Sequence, residues 1–243
     1  MIQNIKKVGV LGGSFNPPHN DHIRIAEYIK NRLSLDKFII VPNAQPPHKN
    51  TCHVEFEHRR KMLEILTYQY EDLEISDIES DPNVPHYTID LIDKIRNLYP
   101  KAYVFFCMGM DSLNYLDEWK NGLELHCYCN LAVVGRYGYT YEDTHSIVKE
   151  VLKERIVYDT SPDFEKYLNR KNGLCIILDN QYTDISSTRI REEFAQFYQA
   201  AGTRLKAVKD MTCLVGRYLN YSCRHLKREV IEYIIENRLY KAD

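Results

Sequence analysis

Two histidines lie three residues apart near the start of the chain, in the stretch GGSFNPPHNDH. On a helix this spacing places His19 and His22 on one face, and free N–H groups in a helix's first turn favour an anion. Gly12 and Gly13 precede them and let the backbone approach a ligand closely. The stretch predicts a phosphate site. The alternatives are a surface pair or a buried core histidine, and a metal site is less favoured because HExxH is absent.

A second stretch, DISSTRIREEF, combines hydroxyls with guanidinium groups. Ser186, Ser187 and Thr188 stand directly before Arg189 and Arg191 at the start of a predicted helix. One hydroxyl is enough to cap a helix. The remaining hydroxyls and the arginines therefore predict a second anion site.

Two such sites suit a ligand with several phosphates, provided that the fold brings them together. The chemistry that this indicates is phosphoryl or nucleotidyl transfer, which depends on positioning and charge neutralisation more than on a protein nucleophile.

The elements that must position these residues alternate along the chain. Short apolar runs predict strands, and segments of helical period lie between them near 20–33, 56–69, 86–98, 143–154 and 187–199. The predicted strands are KVGVL, KFIIV, LEISDI, AYVFFCMG, LAVVG and LCIILD. This order predicts an α/β, Rossmann-like fold: a mostly parallel sheet with helices on both faces, and a helical C-terminal segment. The unusual residues follow strands, where such sheets bind ligands.

Composition limits the classes of partner. The 243 residues carry 32 Lys and Arg against 34 Asp and Glu, a formal charge of -2, so nucleic acid is not an expected partner. No apolar run is long enough for a membrane span, and seven scattered cysteines indicate a reducing cytoplasm. In HCYC (126–129), buried thiols are favoured over metal ligands. We expect one domain over 1–243, with a core over 1–200 and a helical segment over 201–243.

Several motifs resemble a known family. GGSFNPPHNDH and ISSTRIR resemble the nucleotidyltransferase superfamily that carries an HxGH motif and a closing SSTxIR motif. PNAQPPHK (42–49), HYTIDLI (86–92), GMDSLNYLDEW (109–119) and VIEYIIENRLY (230–240) resemble the bacterial nicotinate-nucleotide adenylyltransferase family. The resemblance spans nearly the whole chain. It implies a cytoplasmic enzyme that joins ATP and nicotinate mononucleotide to give deamido-NAD and pyrophosphate, with Mg²⁺.

The resemblance also implies roles for individual residues. The implied ATP-binding residues are Gly12, Gly13, Ser14, Phe15, His22, Ser186, Ser187, Thr188 and Arg191. The implied mononucleotide-binding residues are Lys49, Thr88, Gly109, Asp111, Trp119 and Arg136. The implied catalytic residues are His19, His22, Lys49 and Arg191, and no metal is expected to be held by the protein itself.

The sequence departs from the family pattern at three places. Asp21 replaces the glycine of HxGH, no proline follows Arg136, and the basic stretch over 200–228 is longer than the pattern. That stretch is interpreted as a solvated helical face, with a homo-oligomer contact as the alternative. Nicotinamide mononucleotide or phosphopantetheine as the acceptor, and an inactive nucleotide sensor, remain rival functions.

Overall fold

The protein forms a seven-stranded sheet in which every strand pairing is parallel. A computed structural model describes residues 5–44, 54–180, 185–201 and 225–241. The strands are β1 (Lys7–Gly13), β2 (Lys37–Pro42), β3 (Leu73–Ile75), β4 (Tyr103–Gly109), β5 (Asn130–Val134), β6 (Ile156–Tyr158) and β7 (Cys175–Leu178). Their order across the sheet is β3-β2-β1-β4-β5-β7-β6. The predicted α/β, Rossmann-like fold is confirmed.

Helices connect the strands and cover both faces of the sheet. The α-helices are α1 (Asn20–Arg32), α2 (Phe56–Thr67), α3 (Thr88–Leu98), α4 (Met110–Asn114), α5 (Ser146–Leu152), α6 (Ser187–Ala201) and α7 (Arg228–Glu236). Each predicted helix has a counterpart among them. Helix α7 lies in the predicted C-terminal helical segment, of which 202–224 falls outside the described residues.

The sheet has its switch point between β1 and β4. From β1 the chain proceeds outward to β2 and β3, then returns to place β4 on the other side of β1. The connections from these two strands therefore leave on opposite sides, and a crevice opens at their carboxyl ends. Both histidines of the first motif follow β1, and the GMDSLNYLDEW motif begins at the end of β4.

The core has two layers because side chains alternate along each strand. In β2, Phe38 and Ile40 pack with α1, α2, α6 and α7, whereas Ile39 and Val41 pack on the opposite face with α3 and α5. All four are buried to within 2% of full burial. Burying one such side chain contributes roughly 1.5–3 kcal/mol, so β2 holds helices on both faces of the sheet.

Two short elements were missed by the sequence patterns. Strand β6 has three residues and β4 runs directly into the five-residue helix α4. Segments this short show no periodicity. The helix predicted over 143–154 is shorter, because a 3-10 turn over Tyr141–Asp143, with Thr140 and Asp143 hydrogen-bonded to each other, precedes it.

The HCYC segment lies just before β5, where Cys129 is buried and Cys127 is exposed. Over the described ranges, no three His, Cys, Asp or Glu side chains are grouped so that they could hold a metal ion. In the same ranges, none of the helices has the length and apolar character needed to cross a membrane.

Candidate functional site

A cleft opens at the carboxyl ends of β1 and β4 and contains two adjoining cavities. The one that we call the Arg191 cavity is lined by residues of the first and last motifs, and the one that we call the Thr88 cavity extends toward α3. Both cavities are lined by Gly12, Gly13, Ser14, Phe106, Ser112 and Trp119. The shared wall makes them two halves of one cleft.

The two glycines of the first motif belong to β1 itself, where Gly12 pairs with Val41 and Gly13 with Pro42. The strand thus extends two residues beyond the predicted run. A methyl group built on Gly12 would meet only ordinary contacts, at 3.6 Å from Leu91 and 3.8 Å from Phe106. The protein's own packing therefore leaves room for a side chain at Gly12, and the glycine keeps the cleft floor open.

His22 lies in the first turn of α1 and lines the Arg191 cavity. The backbone N–H of His19 donates to Nδ1 of His22 at 3.1 Å. Since Nδ1 accepts, the proton of the neutral ring resides on Nε2. His22 is thereby fixed as an N–H donor, and the Phe15 ring stands edge-on against it, 5.0 Å between ring centroids.

His19 lies behind His22 as the N-cap of α1, with the two rings 3.7 Å apart. It is 4% exposed, and among the described residues its Nδ1 has no hydrogen-bond partner. The cavity lining includes His22 and not His19. The structure therefore brings the two predicted histidines together, one facing the cleft and one supporting it.

Both imidazoles are held neutral. Burial, reinforced by the Arg136 guanidinium and by His225, lowers the pKa of His19 to about 3. Burial, His19 and Arg136 lower the pKa of His22 well below its ordinary value, against the opposing effect of Asp21. Neutral rings at pH 7 act as hydrogen-bond donors without adding charge.

Asp21, which replaces the glycine of the HxGH motif, is paired with Arg24 at 3.2 Å. Its side chain is not among those that line the cleft. The carboxylate is thus accommodated away from the cleft lining, and an acid in the first turn of a helix is favourable.

The last motif places three hydroxyls at the N-terminus of α6, and all three line the Arg191 cavity. They have different partners. Ser186 Oγ accepts from the N–H of Arg189 at 3.2 Å, as a helix cap does. Ser187 Oγ donates to the carbonyl of Pro17 at 2.8 Å, so it ties the last motif to the first. Thr188 Oγ1 accepts from Arg191 at 3.1 Å and keeps its proton for a ligand.

Arg191 spans the distance between the first and last motifs. One nitrogen donates to Thr188, and the other donates to the carbonyl of Asn16 at 2.6 Å. Asn16 is itself held, because the Tyr240 hydroxyl, beyond α7, donates to its Oδ1 at 2.7 Å. The guanidinium faces the cleft in a fixed orientation suited to phosphate oxygens.

Three predicted mononucleotide residues line the Arg191 cavity and not the Thr88 cavity. These are Gly109, Asp111 and Arg136, near the ends of β4 and β5. Arg136 lies 3.6 Å from Asp111, and both side chains are partly exposed to solvent. The structure thus places them beside His22 and Arg191, and their assignment to the mononucleotide stays a prediction.

Thr88 and Trp119 lie where the prediction groups them, in the Thr88 cavity. Thr88 begins α3, so the first turn of that helix, whose N–H groups have no partner within the helix, lies at the cavity. Trp119 is half-buried against Phe106, with ring centroids 6.3 Å apart, and also forms the wall to the Arg191 cavity. Lys49 lies outside the described residues.

Sequence reasoning missed three residues that line the cleft and one that supports it. Glu79 and His86 line the Thr88 cavity, although both are buried. Lys120 lines it too and pairs with Asp90 at 3.0 Å. Arg59, fully buried in α2, holds the carbonyls of the flanking loops. His86 stands within the HYTIDLI motif, but nothing in the pattern indicated its burial.

Comparison with known proteins agrees with this geometry. Residues 10–193 match the model of the cytidylyltransferase-like family. A protein of Shewanella pealeana, described as a probable nicotinate-nucleotide adenylyltransferase, is 32% identical over 98% of this chain and 97% of its own length. Another of that description, from Shewanella frigidimarina, is 35% identical over 78% of this chain and 89% of its own.

A solved structure shows the same fold over the whole chain. Plasmodium falciparum nicotinic acid mononucleotide adenylyltransferase, complexed with NaAD, superposes with a TM-score of 0.67 at 19% identity and covers 97% of both chains. The chain belongs to the cytidylyltransferase-like family of nucleotidyltransferases, and within it to the nicotinate-nucleotide adenylyltransferases. The family resemblance seen in the motifs is confirmed.

Proposed function

We propose that the protein transfers the adenylyl group of ATP to nicotinate mononucleotide, giving deamido-NAD and pyrophosphate in NAD biosynthesis. The observation that carries the proposal is the single cleft. One half presents His22, the α6 N-terminus and Arg191, and the other half presents Trp119 and the α3 N-terminus. A dinucleotide product needs both halves, joined where its two phosphates meet.

The 5′-phosphate of the mononucleotide attacks the α-phosphorus of ATP. A new P–O bond forms on that phosphorus, and its bond to the bridging oxygen breaks, so pyrophosphate leaves with the electron pair. The attacking phosphate is largely dianionic near pH 7, since its second pKa is about 6. The reaction therefore requires no protein base, which agrees with neutral histidines that act as donors.

Catalysis consists of holding the phosphates and neutralising the charge that develops on the leaving group. His22 Nε2, the Thr188 hydroxyl and the Arg191 guanidinium supply donors from two elements that the Ser187 and Arg191 contacts lock together. In this proposal His19 acts through His22, as the ring that keeps it in place, and Lys49 contributes a positive charge to the phosphates.

Gly109, Asp111 and Arg136 are proposed to contact the sugar and phosphates at the junction of the halves, because they line the cavity next to Trp119. Mg²⁺ is proposed to enter with the ATP phosphates, its preferred oxygen ligands. The described residues contain no group of three acidic, histidine or cysteine side chains that would hold it in advance. The chain is proposed to act in the cytoplasm as one domain over 1–243.

The test is pyrophosphate release with ATP and Mg²⁺, with nicotinate mononucleotide and nicotinamide mononucleotide offered in parallel. We expect turnover with a strong preference for the acid. Preference for the amide would replace the acceptor but keep the chemistry. Release with neither would refute the proposal and favour phosphopantetheine as the acceptor or a catalytically inactive nucleotide sensor.

A further inference from the structure

Lys120 is a charged residue of the Thr88 cavity that has no part in the reaction described so far. It is the only lysine or arginine among the described residues that line this cavity, whereas the Arg191 cavity has two arginines in its lining, Arg136 and Arg191. The one acidic residue in the described lining of the Thr88 cavity is the buried Glu79. A ligand that brings a negative charge into this half of the cleft therefore meets a single positive side chain there.

Two residues at the start of α3 hold the ammonium group of Lys120. Its Nζ donates to both carboxylate oxygens of Asp90, at 3.0 and 3.4 Å. It also lies 4.4 Å from the centre of the Tyr87 ring, which is a cation–π contact. Tyr87 is the N-cap of α3 and stands directly before Thr88. The positive charge is thus kept at the start of α3, where Thr88 also lies.

The pairing with Asp90 leaves the ammonium group able to bind a further anion. The side chains of Lys120 and Asp90 are 45% and 48% exposed, and an ion pair with this exposure is weakly held. An ammonium group has three protons to donate, and Asp90 is not among the residues that line the cavity. A carboxylate in the cavity can therefore share the ammonium group with Asp90 or take its place.

The acid and amide mononucleotides differ at one substituent of the pyridine ring. Nicotinate carries a carboxylate there, and nicotinamide carries an uncharged carboxamide of nearly the same size. Both have the same ribose and phosphate, and both present the same ring to Trp119. Because a pocket separates ligands of equal shape poorly by packing alone, the difference in charge must supply the discrimination.

We propose that Lys120 makes the Thr88 cavity prefer a pyridine carboxylate over the carboxamide. The inference rests on the proposed function. The ammonium group, held by Asp90 and the Tyr87 ring, attracts a carboxylate and has no comparable interaction with an uncharged amide. It also offsets Glu79, whose ionised form opposes a carboxylate in the same cavity.

The test uses the only tryptophan of the chain, Trp119, as a fluorescent reporter of the cavity. The dissociation constants of nicotinate mononucleotide and nicotinamide mononucleotide are measured by fluorescence quenching at one fixed pH. Their ratio is the readout, because the contributions of the common ribose and phosphate cancel. Lys120→Gln should lower the preference for the acid by about tenfold and change the binding of the amide by less than about twofold. An unchanged ratio would overturn the inference.

Two further variants separate charge from packing. Lys120→Arg keeps the positive charge and should keep most of the preference. Lys101→Gln removes the same charge at an exposed position just before β4, at the end of the sheet opposite the cleft, and should behave as the parent protein does. A loss in Lys120→Arg as large as in Lys120→Gln, or an equal loss in Lys101→Gln, would show that the charge of Lys120 does not select the ligand.

Added salt provides an independent measurement. Because Lys120 is half-exposed, dissolved ions screen its charge. Raising NaCl from about 0.05 M to about 0.5 M should lower the parent protein's preference for the acid by about threefold, and it should change that of Lys120→Gln less. The same salt dependence in both proteins, or none in the parent, would contradict the proposal.

The outcomes separate this inference from the proposed function. Pyrophosphate release together with a binding ratio that does not respond to Lys120→Gln overturns the role of Lys120 and leaves adenylyl transfer standing. Absence of both turnover and binding overturns both. Should Lys120→Gln unfold, which a thermal melt beside Lys101→Gln reveals, the salt dependence of the parent protein still decides the question.

Discussion

The two halves of the cleft are built in different ways. The Arg191 cavity joins segments far apart in the chain, through the Ser187 contact to Pro17, 170 residues away, and the Arg191 contact to Asn16, 175 residues away. The Thr88 cavity takes Glu79, His86 and Thr88 from one continuous connection. The first half presents the Arg191 guanidinium and a neutral His22, whereas the second contains the buried Glu79, whose pKa burial raises to about 7. Changes in the first should therefore affect turnover, and changes in the second should affect which ligand binds.

The largest expected effect is in the Arg191 cavity. His22→Ala removes the Nε2 donor and should lower kcat by about a hundred- to a thousandfold, the usual cost of losing one donor to developing charge. Steady-state pyrophosphate release measures it. His145→Ala, at a half-exposed histidine paired with Asp117 outside the cleft, is the matched control. Near-normal turnover in His22→Ala would remove His22 from the mechanism.

The Thr88 cavity should respond differently. Trp119→Ala removes the ring between the halves and should raise the KM for the mononucleotide by about tenfold, since stacking on an aromatic ring contributes roughly 1–3 kcal/mol per base. The KM for ATP should change less, and Trp119→Phe should restore part of the loss. Equal changes in both KM values would mean that Trp119 only separates the two cavities.

A pair of glycine variants tests the floor that both halves share. Gly12→Ala should leave stability unchanged, because the added methyl group meets only ordinary contacts within the protein. It should weaken the binding of both substrates by about tenfold, because the methyl group occupies space that the ligand needs. In Gly9→Ala the added carbon would lie 2.6 Å from Leu35 and 2.7 Å from Phe38. This variant should lose about 1–3 kcal/mol of stability and keep its KM values. Steady-state kinetics and thermal melts are measured on both variants. A loss of stability in Gly12→Ala, or raised KM values in Gly9→Ala, would contradict the prediction.

The two halves should also differ in how the stability of the fold changes with pH. The pKa of His19 is lowered in the folded state. The contribution of His19 to the free energy of unfolding is therefore fully present above its unfolded pKa of 6.5 and is lost as the pH falls toward 3. Between pH 7.5 and 5 the loss is about 2 kcal/mol. The pKa of Glu79 is raised from 4.5 to about 7. The contribution of Glu79 to the free energy of unfolding is therefore present at low pH and is lost as the pH rises through 7.

Denaturant unfolding at both pH values distinguishes these contributions. Relative to the parent protein, His19→Asn, with a residue that also caps helices, should retain more of its stability on going to pH 5. Glu79→Gln should retain more on going to pH 7.5. If both variants changed the pH dependence of stability in the same direction, His19 and Glu79 would not have oppositely shifted pKa values.

The Arg191 cavity was more predictable from sequence than the Thr88 cavity, for a physical reason. Glycines after an apolar run, histidines three apart and hydroxyls before arginines all act through local geometry, which spacing reveals. Burial of Glu79 and His86 depends on how their connection packs, and no local pattern encodes that. Arg59 was missed for the same reason, since an arginine in an amphipathic helix ordinarily faces solvent.

The buried Arg59 holds three separate points of the chain together beside the cleft. Its guanidinium donates to the carbonyls of Ala44 at 2.8 Å and Val54 at 3.1 Å, and to that of Ser14 at 2.6 Å. One side chain thus fixes both attachment points of the segment that carries Lys49, beside the cleft floor. Loss of that guanidinium would therefore release all three carbonyls at once. One substitution in α2 would disturb the frame of the cleft without changing any residue that lines it.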